Sequence, residues 1–196
     1  MYMDWLTVKS SVKSMGRLTV ITGCMGSGKT SKLLSLIADH KRKLDSSNSM
    51  TKPFVACVKP NVDSRAVTIQ SRDGREIEAI PVESPWDYYV SLATTLLVID
   101  EAQFFDADEL EDYVSNYIRS MDIIVSGLSS DFTNSPFGGM GKVLSTADEI
   151  IHLTAICNRC GGTATRTHRL TDEIEQVVVG GDNIYESLCS DCWDYV

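Results

Sequence analysis

Leu18-Thr19-Val20-Ile21-Thr22-Gly23-Cys24-Met25-Gly26-Ser27-Gly28-Lys29-Thr30, followed by Ser31-Lys32-Leu33-Leu34-Ser35-Leu36-Ile37-Ala38, is the stretch that decides the fold. Its first five residues are apolar or β-branched and read as a buried strand, and Leu33, Leu34 and Ile37 recur at helical spacing. Between them Gly23 to Thr30 fits the pattern G-x-x-x-x-G-K-[ST]. The glycines let successive backbone N–H groups turn inward on an anion. Lys29 sets a cation beside the outer phosphates, and the Thr30 hydroxyl is a ligand for Mg²⁺. Strand, glycine loop and helix follow in the order such a site requires, because the new helix aims its N-terminal dipole at the phosphates. Gly23, Cys24, Met25, Gly26, Ser27, Gly28, Lys29 and Thr30 are therefore the expected nucleotide-binding residues.

Outward from this loop, Phe54-Val55-Ala56-Cys57-Val58, Leu96-Leu97-Val98-Ile99 and Ile123-Ile124-Val125 are continuous apolar runs. They read as strands buried on both faces, as a parallel sheet requires. The expected fold is α/β, a parallel-sheet P-loop NTPase-like domain. The run ending at Ile99 leads into Asp100-Glu101, and acids at the carboxyl end of a parallel strand lie where open α/β sheets bind ligands. Asp100 is expected to hold Mg²⁺ beside Thr30. Glu101 is expected close enough to the γ-phosphate to accept a proton from an attacking hydroxyl or water. Asp106-Ala107-Asp108-Glu109 reads as a helix start with Asp at or near the N-cap, and Lys41 to Lys52 as a connecting loop.

The length of 196 residues suits one domain with a small appendage. A net charge of −9 and a pI near 4.8 disfavour a broad nucleic-acid-binding face, which needs basic residues. No apolar run reaches the length of a membrane span. Residues 1–16 read as a flexible lead-in without the apolar stretch of a signal peptide. A cytoplasmic location follows as the expectation, so the six cysteines read as thiols or metal ligands rather than disulfides. From about Thr154 the composition changes: four cysteines arrive, glycines pair at 161–162 and 180–181, and no long helical pattern remains. The expected divisions are 1–16, 17–153 and 154–196. Cys157-x-x-Cys160 and Cys189-x-x-Cys192, with 28 residues between the pairs, form two knuckles able to complete a tetrahedral Cys₄ zinc site. Four protein ligands leave no open position, so this zinc would be structural. Cys57 and Cys24 fall outside the pattern and read as packing residues.

Further elements appear in a fixed order. Lys59-Pro60-Asn61-Val62-Asp63-Ser64-Arg65 and Ser71-Arg72-Asp73-Gly74 precede Asp100-Glu101-Ala102-Gln103-Phe104-Phe105. Gly127-Leu128, Asp131-Phe132, Pro136-Phe137-Gly138, Thr167-His168-Arg169-Leu170, Gly180-Gly181 and Tyr185 follow. From Arg17 to Trp193 the chain resembles the zinc-bearing, P-loop class of thymidine kinases. The resemblance implies ATP-dependent phosphoryl transfer to the 5′-hydroxyl of thymidine, with deoxyuridine a further substrate, in DNA-precursor salvage. It implies Glu101 as catalytic base, and Asp63, Ser64, Arg65, Asp100 and Gln103 as further nucleotide-binding positions. Met25, Leu128, Phe132, Phe137, Thr167 and Tyr185 match pocket residues. Gln176, Val177, Val178, Val179 and Gly180 match a stretch whose backbone reads the base, within a lasso loop carried by the small C-terminal zinc-containing domain. Homotetramers and feedback inhibition by dTTP are further implications.

The chain departs from the family where Arg72 replaces the usual His of Ser-His-x-Gly, where Thr133 replaces a common basic residue, and where Trp193 replaces a common tyrosine. Two other readings of the motifs stand beside the kinase: a P-loop ATPase acting on DNA, in which Glu101 would activate water, and a zinc-ribbon nucleic-acid-binding module.

Overall fold

The structure, a computed structural model, describes residues 15–46, 54–62, 67–178, 180 and 183–193. β1 (Leu18–Gly23) and α1 (Lys29–Asp45) flank the glycine loop. α1 runs further than its apolar stripe suggests, and the residues from Lys41 to Asp45, expected as loop, are helical. The reason is local. Lys, Arg and Leu are good helix formers, and Arg42 and Lys43 suit the negative end of the helix dipole. Residues 47–52 of that expected loop lie outside the described residues.

β2 (Phe54–Pro60) is followed by the antiparallel pair β3 (Thr68–Gln70) and β4 (Glu76–Glu78), then β5 (Ile80–Val82) and β6 (Thr94–Ile99). α2 (Ala107–Tyr117), β7 (Asp122–Gly127), α3 (Met140–Thr146) and β8 (Glu149–Leu153) complete the larger region. Six strands form one sheet in the order β5-β2-β6-β7-β1-β8, and every neighbouring pair is parallel. Successive side chains on the inner strands enter opposite cores. Leu97, Ile99, Ile123 and Val125 pack with Leu110, Tyr113 and Val114 of α2 and with Met140 and Val143 of α3. Leu96, Val98, Ile124 and Ile21 pack with Leu33, Leu34 and Ile37 of α1. Burial on both faces is why these strands read as unbroken apolar runs. The start of α2 matches its expectation: the Asp106 carboxylate accepts from the N–H groups of Asp108 at 2.9 Å and Glu109 at 3.1 Å.

After β8 the chain leaves the sheet and forms two short antiparallel pairs. These are β9 (Ala155–Ile156) with β10 (Thr163–Ala164), and β11 (Arg166–Arg169) with β12 (Tyr185–Leu188), ending in the single turn α4 (Ser190–Trp193). All six central strands run the same way. The glycine loop after β1, the acids after β6 and Leu128 after β7 therefore emerge along one edge of the sheet, the edge where open α/β folds bind ligands.

Candidate active site

The glycine loop enters α1 through Gly28, whose φ of 85° is a left-handed conformation that a side chain would strain. No side chain caps this helix start, so its first amides face the loop. The Lys29 ammonium donates to the carbonyl oxygens of Gly23 and Cys24, each at 3.0 Å. Burial lowers the Lys29 pKa, while Glu101, Cys24 and Asp100 act against that shift. Ser27 Oγ is buried and has no hydrogen-bond partner among the described residues. A buried lysine at a helix start that no side chain caps suits a phosphate anion.

Asp100 follows β6 and is 5% exposed. Burial first, then the neighbouring Glu101 carboxylate, pushes its carboxyl up to about 7. Asp100 and the Thr30 hydroxyl line one cavity with Lys29, and hard oxygen donors of this kind fit Mg²⁺. Glu101 sits in a left-handed backbone conformation, φ 51° and ψ 38°, at the start of a single 3₁₀ turn. Its Oε2 accepts from Gln103 Nε2 at 2.6 Å.

The cavity has a volume of about 480 Å³ and continues from the phosphate loop into an apolar and aromatic half. Met25, Gly26, Gly28, Lys29, Thr30, Asp100, Glu101 and Gln103 line one part of it. Leu128, Phe132, Phe137, Thr167, Gln176, Val178, Gly180 and Tyr185 line the other. Of the expected site residues, Gly23, Cys24, Ser27 and Val177 lie outside the cavity wall; Cys24 is buried and Val177 is 43% exposed. Asp63, Ser64, Arg65 and Val179 lie outside the described residues.

The segment 173–178 is held from beneath by Arg169, which is 4% exposed. Its guanidinium donates to the carbonyls of Glu173 at 2.9 Å, Glu175 at 2.5 Å and Gln176 at 3.0 Å, and to the Tyr185 hydroxyl at 3.0 Å. It also lies 3.8 Å from the centre of the Phe132 ring. Tyr185 in turn donates to the Val178 carbonyl at 2.8 Å, and Gln176 Nε2 donates to Asp131 Oδ2 at 2.6 Å. A second set of bonds ties the β11–β12 pair to the phosphate loop. The Met25 N–H donates to Thr167 Oγ1 at 3.1 Å, and Ser187 Oγ donates to the Met25 carbonyl at 2.5 Å. Thr167 and Ser187 face each other across the strand pair, so both backbone polar groups of one loop residue are gripped by one strand pair. Ser187 belongs to none of the motifs quoted above, and Arg169 only to the Thr167–Leu170 stretch, which assigned it no role. Their signal is a buried charged and a buried polar residue in short strands.

Cys157, Cys160, Cys189 and Cys192 converge with all four sulfurs within 4.8 Å of one another. Cys160 Sγ and Cys189 Sγ are 3.6 Å apart, and a tetrahedron with Zn–S bonds of about 2.3 Å needs sulfurs roughly 3.8 Å apart. The Cys192 N–H donates to Cys189 Sγ at 3.4 Å, as in a metal knuckle. The cluster fits zinc. Cys57 and Cys24 are buried packing residues, as expected.

A glycine loop with its lysine, paired carboxylates two strands away and a shared cavity define a P-loop nucleotide-binding protein with a second, apolar subsite. The thymidine kinase family model matches residues 16–193. Thymidine kinase of Coprothermobacter proteolyticus is 38% identical over 185 residues, covering 89% of this chain and 89% of that protein. Thymidine kinase of Mycoplasma genitalium is 37% identical over 181 residues, covering 89% and 81%. Thymidine kinase of Mesoplasma florum is 32% identical over 197 residues, covering 92% and 93%. The chain belongs to the thymidine kinase family.

Proposed function

We propose that the cavity binds ATP and thymidine together and that Glu101 is the base for transfer between them. Family membership makes the chain an ATP-dependent thymidine kinase and disfavours the DNA-dependent ATPase and zinc-ribbon readings. The thymidine 5′-oxygen attacks the γ-phosphorus, the bond from that phosphorus to the β-phosphate bridging oxygen breaks, and ADP leaves. Glu101 takes the 5′-hydroxyl proton, giving dTMP. Deoxyuridine is a second substrate, because one methyl group is worth only about 1–3 kcal/mol of discrimination. The observation that carries this reading is that Glu101 lines one cavity together with residues of the phosphate loop and with Leu128, Phe132 and Phe137, apolar groups that suit a nucleoside.

Lys29 and the loop amides hold the phosphates, with Asp63, Ser64 and Arg65 as further positions of the nucleotide-binding surface. Thr30 and Asp100 hold Mg²⁺, which when bound neutralises phosphate charge. Met25, Leu128, Phe132, Phe137, Thr167 and Tyr185 pack the nucleoside. The backbone of Gln176 to Gly180 reads thymine, whose two carbonyl acceptors and N3–H donor match extended peptide groups. The hydrogen bonds that Arg169 and Tyr185 make to carbonyls of this segment support that role by fixing its path. Residues 17–153 form the nucleotide-binding domain and 154–196 a lasso domain stapled by one zinc. No helix among the described residues is long and apolar enough to cross a membrane; a cytoplasmic location, a homotetramer and inhibition by dTTP complete the proposal. An assay of ADP release with thymidine, with water alone and with single-stranded DNA tests it. Release should depend on thymidine and yield dTMP, and equal release with water or DNA overturns it.

A further inference from the structure

Gln103 holds a position that nucleotide contact alone does not require. It is 2% exposed, and both ends of its side-chain amide are engaged by protein groups. The Leu128 N–H donates to Gln103 Oε1 at 3.0 Å. A peptide N–H can only donate, so the amide must turn its oxygen to Leu128 and its nitrogen to Glu101. That nitrogen donates to Glu101 Oε2 at 2.6 Å. The orientation is locked from both sides, and the lock joins Glu101, the second residue after β6, to Leu128, the first residue after β7.

The slot around Gln103 is narrow. A Cβ on Gly127 would approach Gln103 Oε1 to 2.6 Å, and a Cβ on Gly138 would approach the Gln103 carbonyl oxygen to 1.9 Å. Gly138 also has a φ of 51°. Glu101 itself occupies a left-handed conformation that costs a non-glycine residue on the order of 1 kcal/mol and persists only where neighbours hold it. An Ala or Gly at 103 would leave the carboxylate free to rotate and the Leu128 amide without its acceptor.

We infer that Gln103 is a positioning residue for phosphoryl transfer, holding the Glu101 carboxylate by one oxygen so that the other faces the acceptor hydroxyl. The inference rests on Glu101 being the base. It differs from a nucleotide contact in what it predicts. Gln103 acts on the reaction through Glu101, so its loss lowers turnover far more than it weakens either substrate.

The test is a double-mutant cycle with Glu101→Gln and two variants of Gln103, assayed at saturating thymidine and ATP. Gln103→Met keeps the length and removes the amide; Gln103→Asn keeps the amide but is one methylene too short to reach both partners. Each single variant should lose roughly 10-fold or more in kcat, since misplacing a catalytic group by about 1 Å costs up to about 10²-fold. The KM values for thymidine and ATP should stay within about threefold of wild type. In the Glu101→Gln background, either Gln103 change should remove less than a further twofold. Losses that multiply in the double variants, a rise in the ATP KM with kcat retained, or near-normal kcat in a folded single variant overturns the inference. So does loss of the folded state in both, by circular dichroism, which makes the residue structural. Near-normal kcat in Glu101→Gln alone is a different result: it removes the base assignment first.

Discussion

The six-stranded sheet and the cysteine-bearing segment after it are held together by different forces. In the sheet, side chains from the inner strands fill two apolar cores, one against α1 and one against α2 and α3. Beyond Leu153 the buried apolar cluster among the described residues comprises only Cys24, Cys157, Ala164 and Leu188, and Cys24 belongs to the phosphate loop. What holds that segment is polar or thiol chemistry: four converging sulfurs, Arg169 under the 173–178 carbonyls, and the two hydroxyls on the Met25 backbone. The contrast teaches a division of labour. Burial of continuous strands makes a rigid frame, which suits residues that must meet reacting atoms at fixed distances. A segment with little core leans on its sulfurs and hydrogen bonds, which would suit the proposed role of covering a bound nucleoside. Changes at the sheet edge should therefore strike turnover, and changes in the cysteine segment should strike nucleoside affinity.

The largest effect should come from Glu101→Gln, which keeps the shape of the base and removes its basicity. Turnover is expected to fall by roughly 10²-fold or more, with ATP affinity, measured by calorimetry, unchanged within error. Near-normal turnover with thymidine saturating would break the assignment of chemistry to the sheet.

Next is Cys189→Ser. Wild-type protein should contain about one zinc per chain, and the variant markedly less. Hydrogen exchange should speed up at residues 155–178 while the inner strands β1, β6 and β7 keep their protection. Equal loosening of both regions would show that the cysteine cluster supports the whole fold, and the contrast drawn above would fail.

Arg169→Met sharpens the comparison within the cysteine segment. It removes a buried cation whose charged hydrogen bonds are worth about 1.5–3 kcal/mol each, partly offset by relief of its desolvation. The expected result is a thymidine KM raised by roughly 10-fold, with the ATP KM and the saturated kcat within about threefold of wild type. A drop in kcat at unchanged thymidine KM would place Arg169 with the chemistry instead.

The smallest effect concerns stability rather than rate. The folded-state pKa of Asp100 is raised to about 7, with burial its main cause. The folded chain holds that proton more tightly than the unfolded chain does. Stability from this group is thus full below the ordinary carboxylate range and is lost as pH rises through about 7. Asp100→Asn, without Mg²⁺ or nucleotide, should raise the Tm by roughly 2–6 °C at pH 8 and by little at pH 4. A lower Tm for the variant at pH 8 would mean that the Lys29 interaction outweighs the cost of burying the charge.

Much of the frame was legible along the chain because its signals are short-range. The strand–loop–helix of residues 18–38, the apolar runs of β2, β6 and β7, the Asp106 cap and the two Cys-x-x-Cys knuckles each declare themselves within a few residues. The helical run from Lys41 to Asp45 was not legible, since a solvent-facing stretch of Lys and Arg has no apolar period to mark it. The half-exposed edge strand β8 lacked an unbroken apolar run for a related reason.

By itself, the sequence determined that a phosphate loop sits between strand and helix, that two acids follow a buried strand, and that four cysteines can share one ion. These depend on backbone propensity and local spacing. Tertiary structure alone decided which of those groups meet. Ser187 reaches Met25 across 162 positions of chain, Gln103 reaches Leu128 across 25, and Arg169 gathers carbonyls, a phenol and a ring into one buried network. No local pattern encodes such contacts, because each exists only after the sheet has set the separations that its side chains span.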